Sequence, residues 1–234
     1  MTPPLFRQLF DRDTWTYTYL LADSESARAV IIDPVFEQTE RDLALLADLG
    51  LRLITVLDTH IHADHITGAA ALRKNTGASY ALGAASALPC ADRLLDDGDT
   101  VPFGSHELRV LATPGHTDES ICFALPGRVF TGDTLFIRGT GRTDFQNGST
   151  TELWDSITTK LFTLPDDTRV YPAHDYKGHS VSTIAEEKAH NPRVGGGRTF
   201  EQFAEIVESA QQGKPLPSRV KVALPANGQC GEHD

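Results

Sequence analysis

Apolar residues along the chain fall into short runs separated by polar turns, and the runs change period. Tyr17 to Ala22 and Ala29 to Ile32 are dense in aromatic, β-branched and aliphatic residues and predict two strands. Asp23-Ser24-Glu25-Ser26 between them is a polar turn, and Asp33-Pro34 ends the second strand because proline cannot donate to a ladder. Leu43, Leu46 and Leu49 then recur at helical spacing, with Gly50 placed to cap the C-terminus. Leu53 to Leu57 predicts a buried strand, and Ile66, Ala69, Ala70 and Leu72 a helix that closes near Gly77. Leu108 to Ala112 is another strand, leading into Thr113-Pro114-Gly115-His116. Ser120 to Leu125 and Arg128 to Thr131 flank Pro126-Gly127 as a hairpin, which delivers Gly132-Asp133. Ser149 and Glu152 match a capping box, followed by the apolar stripe Leu153, Ile157 and Leu161. Thr168 to Tyr171 is a last strand, running into Pro172-Ala173-His174-Asp175-Tyr176.

Strands and helices are thus mixed without strict alternation, which predicts an α/β protein. The chain has 234 residues, enough to bury a core without disulfides or structural metal, and we expect one domain over residues 1–234. Residues 213–234 are rich in proline, glycine and polar residues and are expected to form an extended tail packed on that domain.

The formal charge of -11 argues against a nucleic-acid partner. No run approaches the roughly 20 apolar residues of a membrane span, and no basic segment followed by an apolar stretch marks a leader. The three cysteines, Cys90, Cys122 and Cys230, form no C-x-x-C pair. They are expected as free thiols in a reducing cytoplasm, Cys122 in the core and Cys230 either inert or redox-sensitive.

The chemistry concentrates in histidines. Five of the nine, His60, His62, His65, His116 and His174, fall at strand ends or in the loops just beyond. A rigid sheet can hold side chains from several such loops around one point, as metal coordination requires. His60-x-His62-x-Asp64-His65 packs four ligand-type residues into one turn, and His116, Asp133 and His174 follow at later strand ends. A lone histidine is more often a satisfied core or surface residue, and His106, His179, His190 and His233 are read that way.

Thr59-His60-x-His62-x-Asp64-His65, with Pro114-Gly115-His116-Thr117, Thr131-Gly132-Asp133 and Pro172-Ala173-His174 after it in order, resembles the signature of the metallo-β-lactamase superfamily. That resemblance implies an αββα sandwich of two mixed sheets with outer helices and a metal at one edge. Phe6-Arg7-Gln8-Leu9-Phe10, Leu135 to Gln146, Tyr171 to Gly178, Glu186 to Arg193 and Leu224 to Gly231 narrow the match to persulfide (sulfur) dioxygenases. The narrower resemblance implies one Fe(II) per chain held by His60, His116 and Asp133, a set that leaves coordination positions open. It implies that His62, Asp64, His65 and His174 orient the ligands and hydrogen-bond what the metal holds. Arg138, Arg142, Tyr176 and Arg193 resemble glutathione-contacting positions, since arginine's fork matches a carboxylate; for lone arginines, surface ion pairs are the ordinary role. The implied reaction oxidises glutathione persulfide with O₂ and water to sulfite and glutathione, and the implied assembly is a homodimer.

Two other functions are compatible with the motifs. A dinuclear thioesterase resembling hydroxyacylglutathione hydrolase would use His62, Asp64, His65 and His174 for a second metal. It would carry a larger helical segment after His174, where this chain has a short one containing Asn191-Pro192-Arg193. A non-enzymatic metal-binding domain would be expected to have lost ligands, and here the set is complete.

Overall fold

The structure is a computed structural model that describes residues 2–233. Two six-stranded mixed sheets form its frame. The first runs in chain order: β1 (Leu5–Asp11), β2 (Thr16–Ala22), β3 (Arg28–Ile32), β4 (Arg52–Leu57), β5 (Ser79–Gly83) and β6 (Arg93–Leu95). Its first three strands pair antiparallel, and β3 through β6 pair parallel. Parallel pairs need crossovers, and α1 (Thr39–Asp48) and α2 (Ala69–Thr76) supply two of them. Every residue of β2 is buried, which explains its continuous rather than alternating apolar pattern.

The second sheet is ordered β12-β11-β10-β9-β8-β7, comprising β7 (Thr100–Phe103), β8 (His106–Ala112), β9 (Ile121–Leu125), β10 (Arg128–Gly132), β11 (Arg169–Pro172) and β12 (Ser182–Thr183). The Pro126-Gly127 hairpin forms as expected, Arg128 opposite Leu125, with Gly127 at φ 76°. Ser149 caps α3 (Thr150–Asp155) by accepting from the Glu152 amide, and a π turn over Ser156–Lys160 continues the stripe that buries Leu153, Ile157 and Leu161. Also present are α4 (Ile184–His190) and α5 (Phe200–Gln211), the latter closed by a reciprocal capping box between Thr199 and Gln202.

By its contacts the chain forms two units. One comprises the described residues up to Leu95, with Thr100–Leu108 and those from Leu216 onward; the other holds Asp96–Asp99 and Arg109–Pro215. The first has a core around Leu20, Ile31, Val56, Leu72 and Leu82. The second has its own around Cys122, Val129, Leu153, Ile157 and Phe203.

Two expectations are corrected. The segment expected to be extended contains a helix, α6 (Val220–Asn227), despite Pro225 within it. Proline costs about 3 kcal/mol in a helix interior; burial of Ala223 and Ala226, and the hydrogen bonds of the buried Asn227 side chain, act against that cost. The cysteines are not all thiols: Cys90 and Cys230, 140 residues apart in sequence, form a disulfide, and Cys122 is a buried thiol outside it. An odd count excludes a fully paired set, not a single pair, and the proximity is created by α6 returning Cys230 to the core of the first unit. Among the described residues no helix is long and apolar enough to cross a membrane.

Candidate metal centre

In the first unit, β4 ends at Leu57 and the chain turns through Asp58, Thr59 and the His60-to-His65 segment. The turn is held from β3. Asp33, buried at φ 51° just past the strand, accepts from the Thr59 amide (2.7 Å) and the Thr59 hydroxyl (3.0 Å). The same carboxylate lies 3.2 Å from His62 Nε2, and the Asp58 carboxylate lies 3.8 Å from that nitrogen. The Thr59 hydroxyl is also 3.1 Å from His60 Nδ1, and His65 Nδ1 is 3.1 Å from Asp64. The three imidazoles lie in series but tilted, with ring centroids 4.1 Å apart at 53° for His60 and His62 and 4.2 Å apart at 37° for His62 and His65.

Two groups here have ligand atoms close enough to share an ion: His62 with Asp64 and His65, and Asp33 with Asp58 and His62. Burial, and then the charge of Asp33, push the Asp58 carboxyl up to about 7, while the Tyr80 hydroxyl donates to it at 2.7 Å and opposes the shift.

In the second unit, β10 ends at Gly132 and presents Asp133, while the Thr113-to-Thr117 turn after β8 presents His116. His116 Nδ1 is 2.8 Å from the Arg142 carbonyl. A carbonyl only accepts, so Nδ1 carries the proton, and Nε2 keeps its lone pair. That nitrogen lies 3.5 Å from Asp133 Oδ2, and His174 Nε2 lies 3.6 Å from Asp133 Oδ1. Gly141 packs against both residues: a Cβ there would sit 2.3 Å from the Asp133 carbonyl oxygen and 2.8 Å from His116 Nδ1. Only glycine allows so close an approach.

The four residues expected to meet glutathione are placed differently from one another. Tyr176, exposed, stacks on His174 with ring centroids 6.0 Å apart, on a turn where Asp175 accepts from the Lys177 and His179 amides. Arg193 is half-buried and donates to the Thr140 carbonyl (2.8 Å) and hydroxyl (3.0 Å), and burial lowers its pKa. Arg138 pairs with the fully buried Glu187, and its outer nitrogen reaches Glu186 at 3.4 Å. Arg142 forks onto Asp144 at 2.6 and 2.9 Å, which raises its pKa, and it also donates to the Pro215 carbonyl.

Three side chains were missed in the sequence. Asp33 reads there only as a strand end, although a carboxylate after a buried strand is an available signal. Glu187 joins Arg138, Ser182 and Asn191, and Asn191 in turn donates to the Gly139 carbonyl at 3.0 Å. Asn227 touches the histidine turn from far along the chain.

A family model for the metallo-β-lactamase superfamily matches residues 15–174, and the chain belongs to that superfamily. Human mitochondrial persulfide dioxygenase ETHE1 (Homo sapiens) is 45% identical over 231 residues, covering 98% of this chain and 89% of the relative. A crystal structure of ETHE1 from Myxococcus xanthus is 53% identical with a TM-score of 0.94, covering 97% of this chain and all of that one. The hydroxyacylglutathione hydrolase of Thermosynechococcus vestitus is more distant, 34% identical over 220 residues, covering 92% of this chain and 83% of the relative. Within the superfamily the chain belongs to the persulfide dioxygenase family, and its fold is the metallo-β-lactamase fold expected from the motifs.

Proposed function

We propose that the protein is a glutathione-dependent persulfide dioxygenase, converting glutathione persulfide, O₂ and water to sulfite and glutathione. The observation that carries this reading is the likeness to persulfide dioxygenases over nearly the whole chain. We further propose that one Fe(II) per chain is held by His60, His116 and Asp133. The donor chemistry fits: two imidazoles and a carboxylate, with His116 locked in the tautomer that frees Nε2. When bound, such an ion supplies a centre where a sulfur anion and O₂ meet. The chain's own residues do the rest. His62 and His65, backed by Asp33 and Asp64, keep the turn in shape. His174 stands beside Asp133 as a donor to charge that develops on oxygen. Tyr176 and Arg193 orient the tripeptide, with weaker roles for Arg138 and Arg142, whose forks already hold carboxylates.

Both units are proposed to be parts of one domain spanning residues 1–234, because the family model runs without a break through residues of each. The proposed assembly is a homodimer and the proposed location the cytoplasm, both from the sequence reading; the Cys90–Cys230 bond makes fractionation a worthwhile check on the latter.

The test combines metal analysis with oxygen uptake. Protein purified without added metal should hold about one iron per chain, and glutathione persulfide should drive O₂ consumption, with label from O₂ appearing in sulfite. Alanine at His60, His116 or Asp133 should strip iron and activity together, while His62→Ala keeps substantial iron. Two metals per chain with oxygen-independent thioester cleavage would replace this reading with the hydrolase.

A further inference from the structure

The histidine turn is gripped by a residue 165 positions away from His62. Asn227, at the end of α6 and 3% exposed, donates from Nδ2 to the carbonyls of His62 and His65, both at 2.8 Å. Its Oδ1 accepts from the Thr67 amide at 2.9 Å. An amide side chain has two N–H donors and one carbonyl, and all three functions are used on one turn. The fit is specific to asparagine. A carboxylate at this position would set oxygen against two carbonyl oxygens, and no shorter side chain reaches all three groups.

The segment that carries Asn227 is fastened beside the same turn. Three residues on, Cys230 is bonded to Cys90. The next residue, Gly231 at φ 87°, packs so closely that a Cβ would lie 2.6 Å from the Thr67 carbonyl oxygen. Thr67 is thus met on its amide by Asn227 and on its carbonyl side by Gly231, with the disulfide between the two.

We propose that Asn227 is a positioning residue for the His60–His65 turn, and that the Cys90–Cys230 bond keeps it seated. The inference rests on the metal reading above. Cys90 is only partly buried, so a dithiol can reach it. In that exchange the attacking thiolate bonds to Cys90 sulfur and Cys230 leaves as thiolate. The second thiol then displaces Cys90, so that the dithiol loses two electrons and becomes a disulfide while the protein gains two thiols. Reduction would free the segment and loosen the turn.

The experiment uses full-length protein loaded with Fe(II), or with Co(II) as a spectroscopic probe. It follows the rate of metal release to a chelator and the Co(II) absorption bands. Asn227→Asp and Asn227→Ala should release metal about 10–100-fold faster, the scale for losing an outer partner of a metal site, and should shift the Co(II) bands. The double variant Cys90→Ser, Cys230→Ser should accelerate release by a smaller factor. Ala223→Gly, which weakens α6 without touching the turn, serves as the control: it should lower the melting temperature and leave both readouts unchanged. Wild-type release and an unshifted spectrum in Asn227→Asp would overturn the proposal, as would Ala223→Gly reproducing its effects. Wild-type protein that takes up no metal would sink the metal reading itself, a result distinct from either.

Discussion

Glu187 is the buried charge whose loss should be felt most widely in the second unit. Its carboxylate, with no exposed surface, accepts from the Arg138 amide (2.9 Å), the Arg138 guanidinium, the Ser182 hydroxyl and the Asn191 amide (2.8 Å). Glu187→Gln preserves volume and opens no cavity, so it isolates the polar contribution. Whichever way the new amide turns, its NH₂ faces groups that are themselves donors, and the Arg138 cation loses its buried partner. Breaking a buried ion pair from one side costs about 3–5 kcal/mol. The Arg138 side chain is 29% exposed and can recover some hydration, which brings the expected loss to roughly 2–3 kcal/mol. For a chain of this size each kcal/mol lowers Tm by about 2–4 °C, so thermal unfolding should show a drop of roughly 4–12 °C. Adding Arg138→Met should return part of the loss, because no charge then remains unpaired. The kinetic effect should appear in KM, since Asn191 links Glu187 to the Gly139 carbonyl and to the Arg193 amide. A Tm change within about 2 °C, or a double variant as unstable as the sum of the two single ones, would refute the argument.

Three further outcomes are expected. Gly141→Ala should cost metal content as well as several kcal/mol of stability, because its Cβ would press on the Asp133 backbone 2.3 Å away, and iron per chain beside a melt will read both. Arg193→Ala should lower kcat/KM for glutathione persulfide by a factor equivalent to ~1–3 kcal/mol with iron retained; unchanged kinetics would assign the side chain to bracing Thr140 alone. Asp42 is buried, and that burial raises its pKa from 3.8 to about 6 against the opposing pull of Arg41. A raised carboxyl pKa makes the ionised form a burden on the fold, absent below the unfolded value of 3.8 and complete above about 6. Asp42→Asn should therefore stabilise by at most about 3 kcal/mol at pH 8 and have no effect near pH 3, and a pH series of chemical melts that shows the reverse slope would reject this account.

Elements set by local chemistry were legible in the sequence. The runs in β2, β3 and β4, the Gly50 and Gly77 helix ends, the Pro126-Gly127 hairpin and the Ser149 cap all express preferences of a few neighbouring residues. The residues proposed to hold a metal stand out for a related reason: each lies in a short motif at a strand end. What escaped depends on partners distant in sequence. Asp33 sits one residue past a strand, and its function appears only once β3 lies beside β4 and brings it to Thr59. The Cys90–Cys230 bond spans 140 residues, and no spacing rule reaches that far. The tail was misread because Pro225 and its polar surroundings outweigh, on paper, a helical face that is worth burying only when a core is there to receive it. The arginines show the converse limit. Residue type marks them as carboxylate binders, and the structure supplies carboxylates of the protein's own, Glu187 for Arg138 and Asp144 for Arg142.

The grip of Asn227 on the histidine turn also has a consequence in time. During synthesis Asn227 emerges 162 residues after His65. At roughly 5–20 residues per second, that is a delay of about 8–30 s in which the turn exists without its clasp. His60 to His65 can meet metal ions throughout that interval, but the backbone that aims them is finished only when α6 docks. Contacts this distant along the chain close late in folding, so metal caught before docking would be held by an unfinished turn. A ribosome-stalled chain ending just short of residue 227 would carry every proposed ligand and still lose iron readily to a chelator.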